Sequence, residues 1–252
     1  MVRINKFLAN CEQGSRRSVE KLILDGRVTI NDKLCTELST KINPSTDIVK
    51  IDGVKTEPST QKIFVMLNKP IGYVVSRNDE FGRKTVYSLL PEFAKNLHPI
   101  GRLDRDTEGL LLLTNEGDIT NKITHPSFEI EKTYKIIVKN KIAHEDIIKL
   151  REGIKIENYT TMPARVFLKH SDEEKSELRI TITEGKNRQV RKMLETLGYQ
   201  VLSLKRLQIG RLKLEKLPVG MWRFLKDHEV LYLLKLHHTP NTNKNKVKDK
   251  HL

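Results

Sequence analysis

Near its start the chain carries two clusters of apolar residues at helical spacing, which predict two short amphipathic helices. The clusters are Ile4, Phe7 and Leu8, then Val19, Leu22 and Ile23. Ser15 is placed to cap the second helix and Gly26 to end it. Three short strand-like runs follow, before a polar, proline-containing stretch at 57–60 that is typical of a linker. We therefore predict a separate small α/β domain over residues 1–60.

From residue 61 the pattern changes to a mixture of strand-like and helix-like segments. The strand-like runs are 63–67, 73–76, 110–114, 134–138 and 178–183, and the helix-like runs are 118–124, 144–151 and 187–197. The last helix has one apolar stripe, with Arg188, Arg191 and Lys192 outside it. Residues 237–252 are rich in Lys, Asn and His, which predicts a basic, disordered tail after a second domain at 61–236.

The charge of the chain is strongly basic. Its 252 residues include 46 Lys and Arg against 32 Asp and Glu, a formal net charge of +14. Glu195 is the only acid between residues 186 and 213, a segment with many bases, and Arg16, Arg17 and Lys21 share the start of the second predicted helix. Basic clusters on two domains favour the interpretation that the chain binds a phosphate-bearing partner. The alternative interpretation is that these bases are ordinary solvated residues on helix surfaces. Because no zinc-finger spacing and no basic region with heptads is present, RNA is favoured over DNA.

The sequence also bears on compartment and metal chemistry. No apolar run is long enough to span a membrane, and the first residues lack the apolar core of a signal peptide. The two cysteines, Cys11 and Cys35, cannot by themselves form a four-ligand zinc site. We therefore expect a cytoplasmic protein.

Three segments carry candidate chemistry. In 101–115 a charge-dense turn with Asp104 and Asp106 runs directly into a wholly apolar strand, and further on Tyr134 begins another strand. In 183–191 a strand ends and a basic helix begins. The N-terminal end of a helix attracts anions. Each segment also has an ordinary structural interpretation: a loop before a buried strand, a sheet tyrosine and a solvated basic helix.

At these residues the chain resembles the RsuA/RluB/RluF-type bacterial ribosomal RNA pseudouridine synthases. The matching motifs are Gly-Arg-Leu-Asp at 101–104 with Thr107, Lys-Thr-Tyr at 132–134, the basic stretch 184–191, the segment 204–210 and Leu-Asn-Lys-Pro-Ile-Gly at 67–72. The N-terminal domain resembles the RNA-binding domain shared with small-subunit ribosomal protein S-four. The likeness covers roughly residues 2–235 in the right order.

The resemblance implies an α+β fold, with a small N-terminal RNA-binding domain before a catalytic domain built on a mixed, mainly antiparallel sheet. It implies isomerisation of a flipped uridine to pseudouridine in ribosomal RNA, with neither cofactor nor metal. Asp104 would be the nucleophile, Lys186 would pair with it and keep it ionised, and Tyr134 would help to remove the C5 proton. Arg102 would fill the vacated space or contact a flanking phosphate. The other residues expected to contact RNA are Arg16, Arg17, Lys21, Arg188, Arg191, Lys205 and Arg206.

Two other classes of protein remain open. A non-catalytic RNA-binding or ribosome-assembly protein would explain the charge, but not the joint presence of Asp104, Tyr134 and Lys186. An RNA methyltransferase would need a glycine-rich loop of the GxGxxG type after a strand, and the sequence has none. The synthase is favoured, as a monomer acting on ribosomal RNA or an assembly intermediate. The run His-Pro-Ser at 125–127 resembles the RluB-like members of the family, and this resemblance favours the large ribosomal subunit over the small one.

Overall fold

The computed structural model describes residues 1–11, 13–58, 61–77 and 79–238. The chain divides into two units, Met1–Ile63 and Phe64–Leu252, so the division falls just after the stretch expected to be a linker. Within the described residues, no helix has the length and apolar character needed to cross a membrane.

The first unit packs two helices against short strands. Its elements are β1 (Val2–Arg3), α1 (Ile4–Asn10), α2 (Arg16–Leu24), β2 (Val28–Ile30), β3 (Lys33–Leu34), β4 (Lys41–Ile42), β5 (Val49–Ile51) and β6 (Val54–Lys55). The strands form an antiparallel sheet in the order β3-β2-β5-β6 and a separate β1–β4 pair. Leu8 and Ile23 are fully buried between the helices and strands. The two predicted helices are confirmed, and Ser15 caps α2 by accepting a 3.1 Å hydrogen bond from the Ser18 backbone N–H.

The second unit contains the remaining helices and strands. They are β7 (Phe64–Lys69), β8 (His98–Ile100), β9 (Glu108–Thr114), α3 (Gly117–Thr124), β10 (Lys132–Lys139), α4 (His144–Glu152), β11 (Lys155–Ile156), β12 (Tyr159–Thr160), β13 (Arg165–Ser171), β14 (Lys175–Ile182), α5 (Gln189–Thr196), β15 (Val201–Ile209), β16 (Leu212–Lys213), β17 (Trp222–Phe224) and α6 (Asp227–His238). Short 3₁₀ helices lie at Val86–Leu89, Glu92–Asn96 and Pro126–Phe128.

A nine-stranded sheet organises the second unit. Its order is β13-β14-β10-β15-β9-β7-β17, with β16 added to β15 and β8 to β9. Among the described strands of this sheet, β9 and β15 are the parallel pair, and the other pairs are antiparallel. The predicted α+β class, with a mainly antiparallel sheet, is confirmed.

The core of the second unit lies where the central strands meet α3 and α6. Met66 and Leu112, from β7 and β9, belong to one buried cluster with Ile119 of α3 and Leu233 of α6. Every residue of β7 is buried, including its final polar residues Asn68 and Lys69. Because a buried polar group without a hydrogen-bond partner is costly, these two side chains need partners within the protein.

The structure corrects the sequence prediction in several places. The strand predicted at 73–76 is wrong: Val74 makes an isolated bridge to Thr85 inside a loop that closes through hydrogen bonds to Lys84 and Val86. The sequence pattern also missed α6 and the strands β1, β4, β6, β8, β11, β12, β13, β15, β16 and β17. Because α6 extends to His238, residues 237 and 238 are helical and not part of a tail. The rest of that prediction, 239–252, lies outside the described residues.

Candidate active site

A cavity of about 280 Å³ opens in the second unit, beside the turn that leads into β9. The residues around it include Asp104, Tyr134, Lys186, Arg102, Arg188 and Arg206. The three side chains predicted to be catalytic therefore line one cavity, although they come from segments far apart in the chain. A concave surface on which polar and charged side chains converge is typical of a ligand-binding site.

The turn at 101–107 is placed by the close approach of β9 to β15. Gly109 has φ +109°, and a Cβ atom there would lie 2.3 Å from the backbone oxygen of Arg206. Glycine is thus required where the two strands meet. The buried guanidinium of Arg206 donates a 2.8 Å hydrogen bond from Nε to the Leu110 carbonyl, which adds a side-chain link between the same strands. The pairing fixes where the turn enters the sheet.

Lys69 fastens the same turn through backbone atoms. Its fully buried Nζ donates hydrogen bonds to the carbonyls of Pro70 (3.0 Å), Asp104 (2.9 Å) and Thr107 (2.7 Å). A protonated lysine has three N–H donors, which match these three acceptors. Burial lowers the pKa of Lys69 to about 8, against the opposing charges of Asp104 and Asp106. Sequence reasoning missed this role, because the strand predicted at 63–67 ended before Lys69 and the motif at 67–72 gave the lysine no function.

Asp106 joins the turn to helix α5. Its Oδ2 accepts a 2.9 Å hydrogen bond from Arg188 Nη1 and lies 3.1 Å from Arg191 Nε. The Nη2 of Arg191 donates a further 2.7 Å hydrogen bond to the backbone carbonyl of Asp106. Partial burial opposes ionisation, but the Arg188 hydrogen bond and the Arg191 charge hold the pKa of Asp106 below its usual range. Asp106 is therefore engaged in holding the turn.

The side chain of Asp104 has a different environment from that of Asp106. It is half-buried at the cavity wall, and among the residues that the structure describes it has no hydrogen-bond or ion-pair partner. The charges of Lys69 and Arg188 interact with it. The turn thus holds one carboxylate in a network and leaves the other open to the cavity.

Lys186 does not form the ion pair with Asp104 that the sequence suggested. Its Nζ lies over the ring of Tyr159, 3.4 Å from the ring centroid, in a cation–π contact. The turn before α5 is ordered instead by the buried Glu184, which accepts hydrogen bonds from Gln189 Nε2 (2.5 Å) and the Met162 backbone N–H (2.8 Å). Lys186 keeps its place at the cavity wall, but its partner is aromatic and not acidic.

Tyr134 and Lys132 present the start of β10 to the cavity. Both side chains are buried and line it. Lys132 Nζ donates hydrogen bonds to the carbonyls of Ile130 (2.8 Å) and Thr183 (3.3 Å). Burial, with a contribution from the charge of Arg206, lowers the pKa of Lys132 to about 8.

Several bases expected to contact RNA have partners inside the protein. Arg191 and Arg206 are buried, and their guanidinium groups serve the turn and β9 as described above. Lys205 Nζ lies 3.3 Å from a carboxylate oxygen of Glu108 on the neighbouring strand. Much of the positive charge of this segment therefore lies against the turn and the first residues of β9.

Other bases are free to meet an external anion. Arg102 is exposed at the cavity wall, and Arg16, Arg17 and Lys21 are exposed on α2 of the first unit. Within the described part of the chain, none of these four side chains has a hydrogen-bond or ion-pair partner. They remain available for phosphates.

Comparison with known proteins shows the family of the chain. Residues 63–196 match the family model of RNA pseudouridylate synthases, and residues 2–48 match the S4 domain. The chain is 42% identical over 232 residues to the ribosomal large subunit pseudouridine synthase B of Bacillus subtilis, with 91% of this chain and 94% of that protein covered. It is 39% identical over 236 residues to an uncharacterised RNA pseudouridine synthase of Aquifex aeolicus, covering 93% and 94%.

A solved structure gives the same result. The crystal structure of a pseudouridylate synthase matches with a TM-score of 0.66 and 32% identity, over 92% of this chain and 100% of that one. The two units thus define an RNA-binding enzyme with an N-terminal S4 domain. The chain belongs to the RNA pseudouridylate synthase family, and it is an isomerase that acts on RNA. The family resemblance seen in the sequence motifs is confirmed.

Proposed function

We propose that the protein converts a uridine of ribosomal RNA to pseudouridine, with Asp104 as the nucleophile and without a cofactor. The observation that carries the proposal is the contrast within the turn at 101–107. The Asp104 backbone is fixed by Lys69, while its carboxylate lines the cavity without a partner among the described residues. A nucleophilic carboxylate must be held in place and yet be unoccupied, and Asp104 meets both conditions.

The proposed chemistry is balanced without any added reagent. The bond from uracil N1 to the ribose C1′ breaks, Asp104 accepts the electron-poor sugar carbon, and the uracil turns within the cavity. A bond then forms from C5 to C1′ as the carboxylate leaves. C5 loses a proton and N1 gains one, so the product is an isomer of the substrate. No oxidant, reductant or transferred group is required.

The cavity residues have distinct proposed roles in this sequence. Lys69 and Arg188 place positive charge near the Asp104 carboxylate. Tyr134 lies against the uracil face and helps to remove the C5 proton. Because the departing uracil carries negative charge, we assign Lys186 to its stabilisation, a role that does not need an ion pair with Asp104.

The target base must leave its stack to reach Asp104, as in other enzymes that modify a base within a folded nucleic acid. Arg102, exposed and unpartnered among the described residues, is proposed to fill the vacated position or to contact a flanking phosphate. In the S4 domain, Arg16, Arg17 and Lys21 are proposed to anchor neighbouring RNA through its phosphates.

Large-subunit RNA is the proposed substrate over small-subunit RNA. The 42% identity to a large-subunit synthase of Bacillus subtilis supports this choice, together with the His-Pro-Ser run at 125–127. The substrate is proposed to be free ribosomal RNA or an assembly intermediate of the ribosome. In either case we propose that the enzyme acts as a monomer in the cytoplasm, where ribosomal RNA is found.

Pseudouridine mapping of both ribosomal RNAs tests the proposal. Cells lacking the gene are compared with cells complemented by the wild-type chain or by Asp104→Asn. We expect one or a few large-subunit pseudouridines to disappear in the deletion and to return only with the wild-type chain. Identical maps in all three strains would contradict an rRNA substrate. Restoration by Asp104→Asn would instead favour a non-enzymatic RNA-binding role, and a site in the small subunit would reverse the subunit assignment.

A further inference from the structure

A second concave surface adjoins the active-site cavity. It is a groove of about 440 Å³ between the loop at 73–85 and the turn at 101–107. Arg102, Leu103, Asp104 and Asn187 line both the groove and the cavity. The two spaces therefore share a wall, so a chain molecule with one residue in the cavity would place an adjacent residue in the groove.

The loop side of the groove presents a flat, exposed platform. Phe81 is 78% exposed, and the Arg83 guanidinium lies over its ring, 4.8 Å from the centroid. Asp79 fixes that guanidinium: Oδ1 accepts hydrogen bonds from Arg83 Nε (2.9 Å) and Nη2 (2.6 Å), and Oδ2 accepts one from the Arg83 backbone N–H (2.6 Å). The Asp79 side chain is only 4% exposed. An aromatic ring with a fixed guanidinium on one face is a surface on which a nucleic-acid base stacks.

The opposite side of the groove supplies positive charge. Arg102 and Arg105 line it and are exposed. Neither side chain has a hydrogen-bond or ion-pair partner among the residues that the structure describes. Three acidic residues also line the groove: Asp79 is neutralised by Arg83, Asp104 faces the cavity as well, and Glu80 is exposed on the loop. Arg83, Arg102 and Arg105 balance these three charges. A stacking platform opposite two free guanidinium groups fits one unpaired nucleotide, with its base on the platform and its phosphate at the arginines.

We propose that this groove is a subsite for a nucleotide next to the target uridine, and that its base stacks on the Phe81–Arg83 platform. The proposal rests on the proposed function, because the uridine in the cavity sets the position of its neighbour. The platform adds binding energy outside the reacting base. It selects an unstacked neighbouring nucleotide of any sequence, since every base has a face that can stack.

The first test compares variants on a labelled RNA stem-loop that carries the uridine identified by mapping. Phe81→Ala is expected to weaken RNA binding by about 5-fold or more, because base–aromatic stacking contributes on that scale, and Phe81→Trp is expected to retain binding. Phe167→Ala is the matched control, since Phe167 is also exposed (55%) but lies on β13. Equal binding by Phe81→Ala and the wild-type chain would overturn the subsite.

Abasic nucleotides identify the stacked base. Each position flanking the uridine is replaced in turn, and dissociation constants are measured for the wild-type and Phe81→Ala chains. At one position the abasic change should weaken binding to the wild-type chain and have no further effect on Phe81→Ala. If every position has the same effect on both chains, the platform does not bind a base. Turnover of the intact stem-loop by the wild-type chain, measured alongside, reports separately on the proposed function.

Photo-crosslinking tests the subsite without any turnover. A short single-stranded oligouridylate containing one 5-iodouridine is irradiated with the full chain, and crosslinked peptides are located by mass spectrometry. We expect a crosslink to the peptide carrying Phe81, lost in Phe81→Ala and kept in Phe167→Ala. Its absence at every position of the label would overturn the proposal even if the enzyme is active. A Phe81→Ala defect seen only on assembled particles, and not on free RNA, would indicate a protein partner and also overturn it.

Discussion

The buried Nζ of Lys69 lies 2.9 Å from the backbone carbonyl oxygen of Asp104 and donates a hydrogen bond to it. A lysine at the end of the buried strand β7 thus determines where the backbone of the proposed nucleophile lies. The same amine binds the carbonyl of Thr107, so the turn is held on both sides of Asp106. The hydrogen bonds from Lys69 that hold the turn are made to backbone carbonyls. The side-chain carboxylate of Asp104 is therefore left for the substrate.

Replacing Lys69 tests this arrangement. Lys69→Met leaves three carbonyls without their donor, so we expect the free energy of unfolding to fall by about 1–3 kcal/mol. Turnover should fall by about 100-fold, since a small displacement of a reacting group has effects of that size. Chemical denaturation and single-turnover kinetics measure the two effects. Ser176→Ala is the control, because the buried Ser176 hydroxyl bonds the backbone of Ile142 and Asn140 and does not line the cavity. Full turnover by Lys69→Met would show that the anchor is dispensable.

The lowered pKa of Lys69, about 8, predicts opposite pH effects on rate and stability. Above this pH the amine loses a proton and has two donors for three carbonyls, so turnover should decline. An unfolded lysine titrates near 10.4, so between about pH 8 and 10.4 the unfolded chain binds more protons than the folded one. The contribution of Lys69 to the free energy of unfolding therefore increases as pH rises through this range.

Comparing the wild-type chain with Lys69→Met separates the contribution of Lys69 from those of other groups that titrate at alkaline pH. The variant should lack both the decline in rate and the gain in stability. A parallel loss of rate and stability in the wild-type chain would mean that unfolding, and not the Lys69 proton, causes the decline. Lys132, whose pKa is also about 8, must be replaced in a second variant so that its contribution to stability can be subtracted.

The sequence predicted those elements whose apolar pattern is unbroken. The run at 110–114 is buried throughout and appears as β9, and the apolar stripe of 187–197 appears as α5. β13 was missed because most of its side chains are exposed at the edge of the sheet, among them Lys169 and His170. Residues 73–76 show the reverse error, since β-branched and aromatic residues there lie half-buried in a loop.

Asp104 and Asp106 differ sharply in their predicted sensitivity to mutation. Asp104→Asn removes the proposed nucleophile and changes little volume. Because its carboxylate has no partner among the described residues, we expect no turnover, near wild-type stability and near wild-type RNA affinity. Asp106→Asn weakens contacts with Arg188 and Arg191 and should reduce stability by about 1 kcal/mol or less, since the pair is partly exposed and screened. Denaturation and tritium release from labelled uridine measure these effects. Turnover by Asp104→Asn would move the nucleophile to Asp106.

The contacts of Lys186 could not be predicted from its position in the sequence. Spacing shows that it precedes a helix, but not that β12 places Tyr159 under its amine. The same limit applies to Arg206, which belongs to a basic segment yet is buried where β15 pairs with β9. A count of charges gives the sign of the partner, whereas the fold decides which charges remain free for it.

Lys186→Met should lower the rate of isomerisation strongly, because a positive charge at the cavity wall is lost. Since Lys186 contacts Tyr159 and not Asp104, we expect the acidic limb of the pH–rate profile to keep its position. Single-turnover rates from acidic to neutral pH give this limb for both chains. A shift of the limb to higher pH would mean that Lys186 pairs with Asp104 once RNA is bound. Tyr159→Phe is the control, because the ring that holds the amine is retained.

The exposed bases of α2 should contribute to RNA affinity in a salt-dependent manner. Arg16 and Arg17 have no partner among the described residues and so keep their full charge for phosphates. Each lost phosphate contact should reduce the slope of log affinity against log salt by about 0.7–0.9. The double variant Arg16→Ala/Arg17→Ala should therefore bind ribosomal RNA more weakly at low salt, and its affinity should fall less steeply as salt rises.

The matched control removes the same charge elsewhere in the first unit. Lys33 and Lys41 are exposed on β3 and β4, and Lys33→Ala/Lys41→Ala changes the net charge by the same amount. If α2 binds RNA directly, the arginine variant alone should show the reduced slope, and its turnover at saturating RNA should equal that of the wild-type chain. Equal slopes for the two variants would mean that general charge, and not α2, attracts the RNA. An unchanged affinity and slope in the arginine variant would leave Arg16 and Arg17 as solvated residues of an ordinary basic helix.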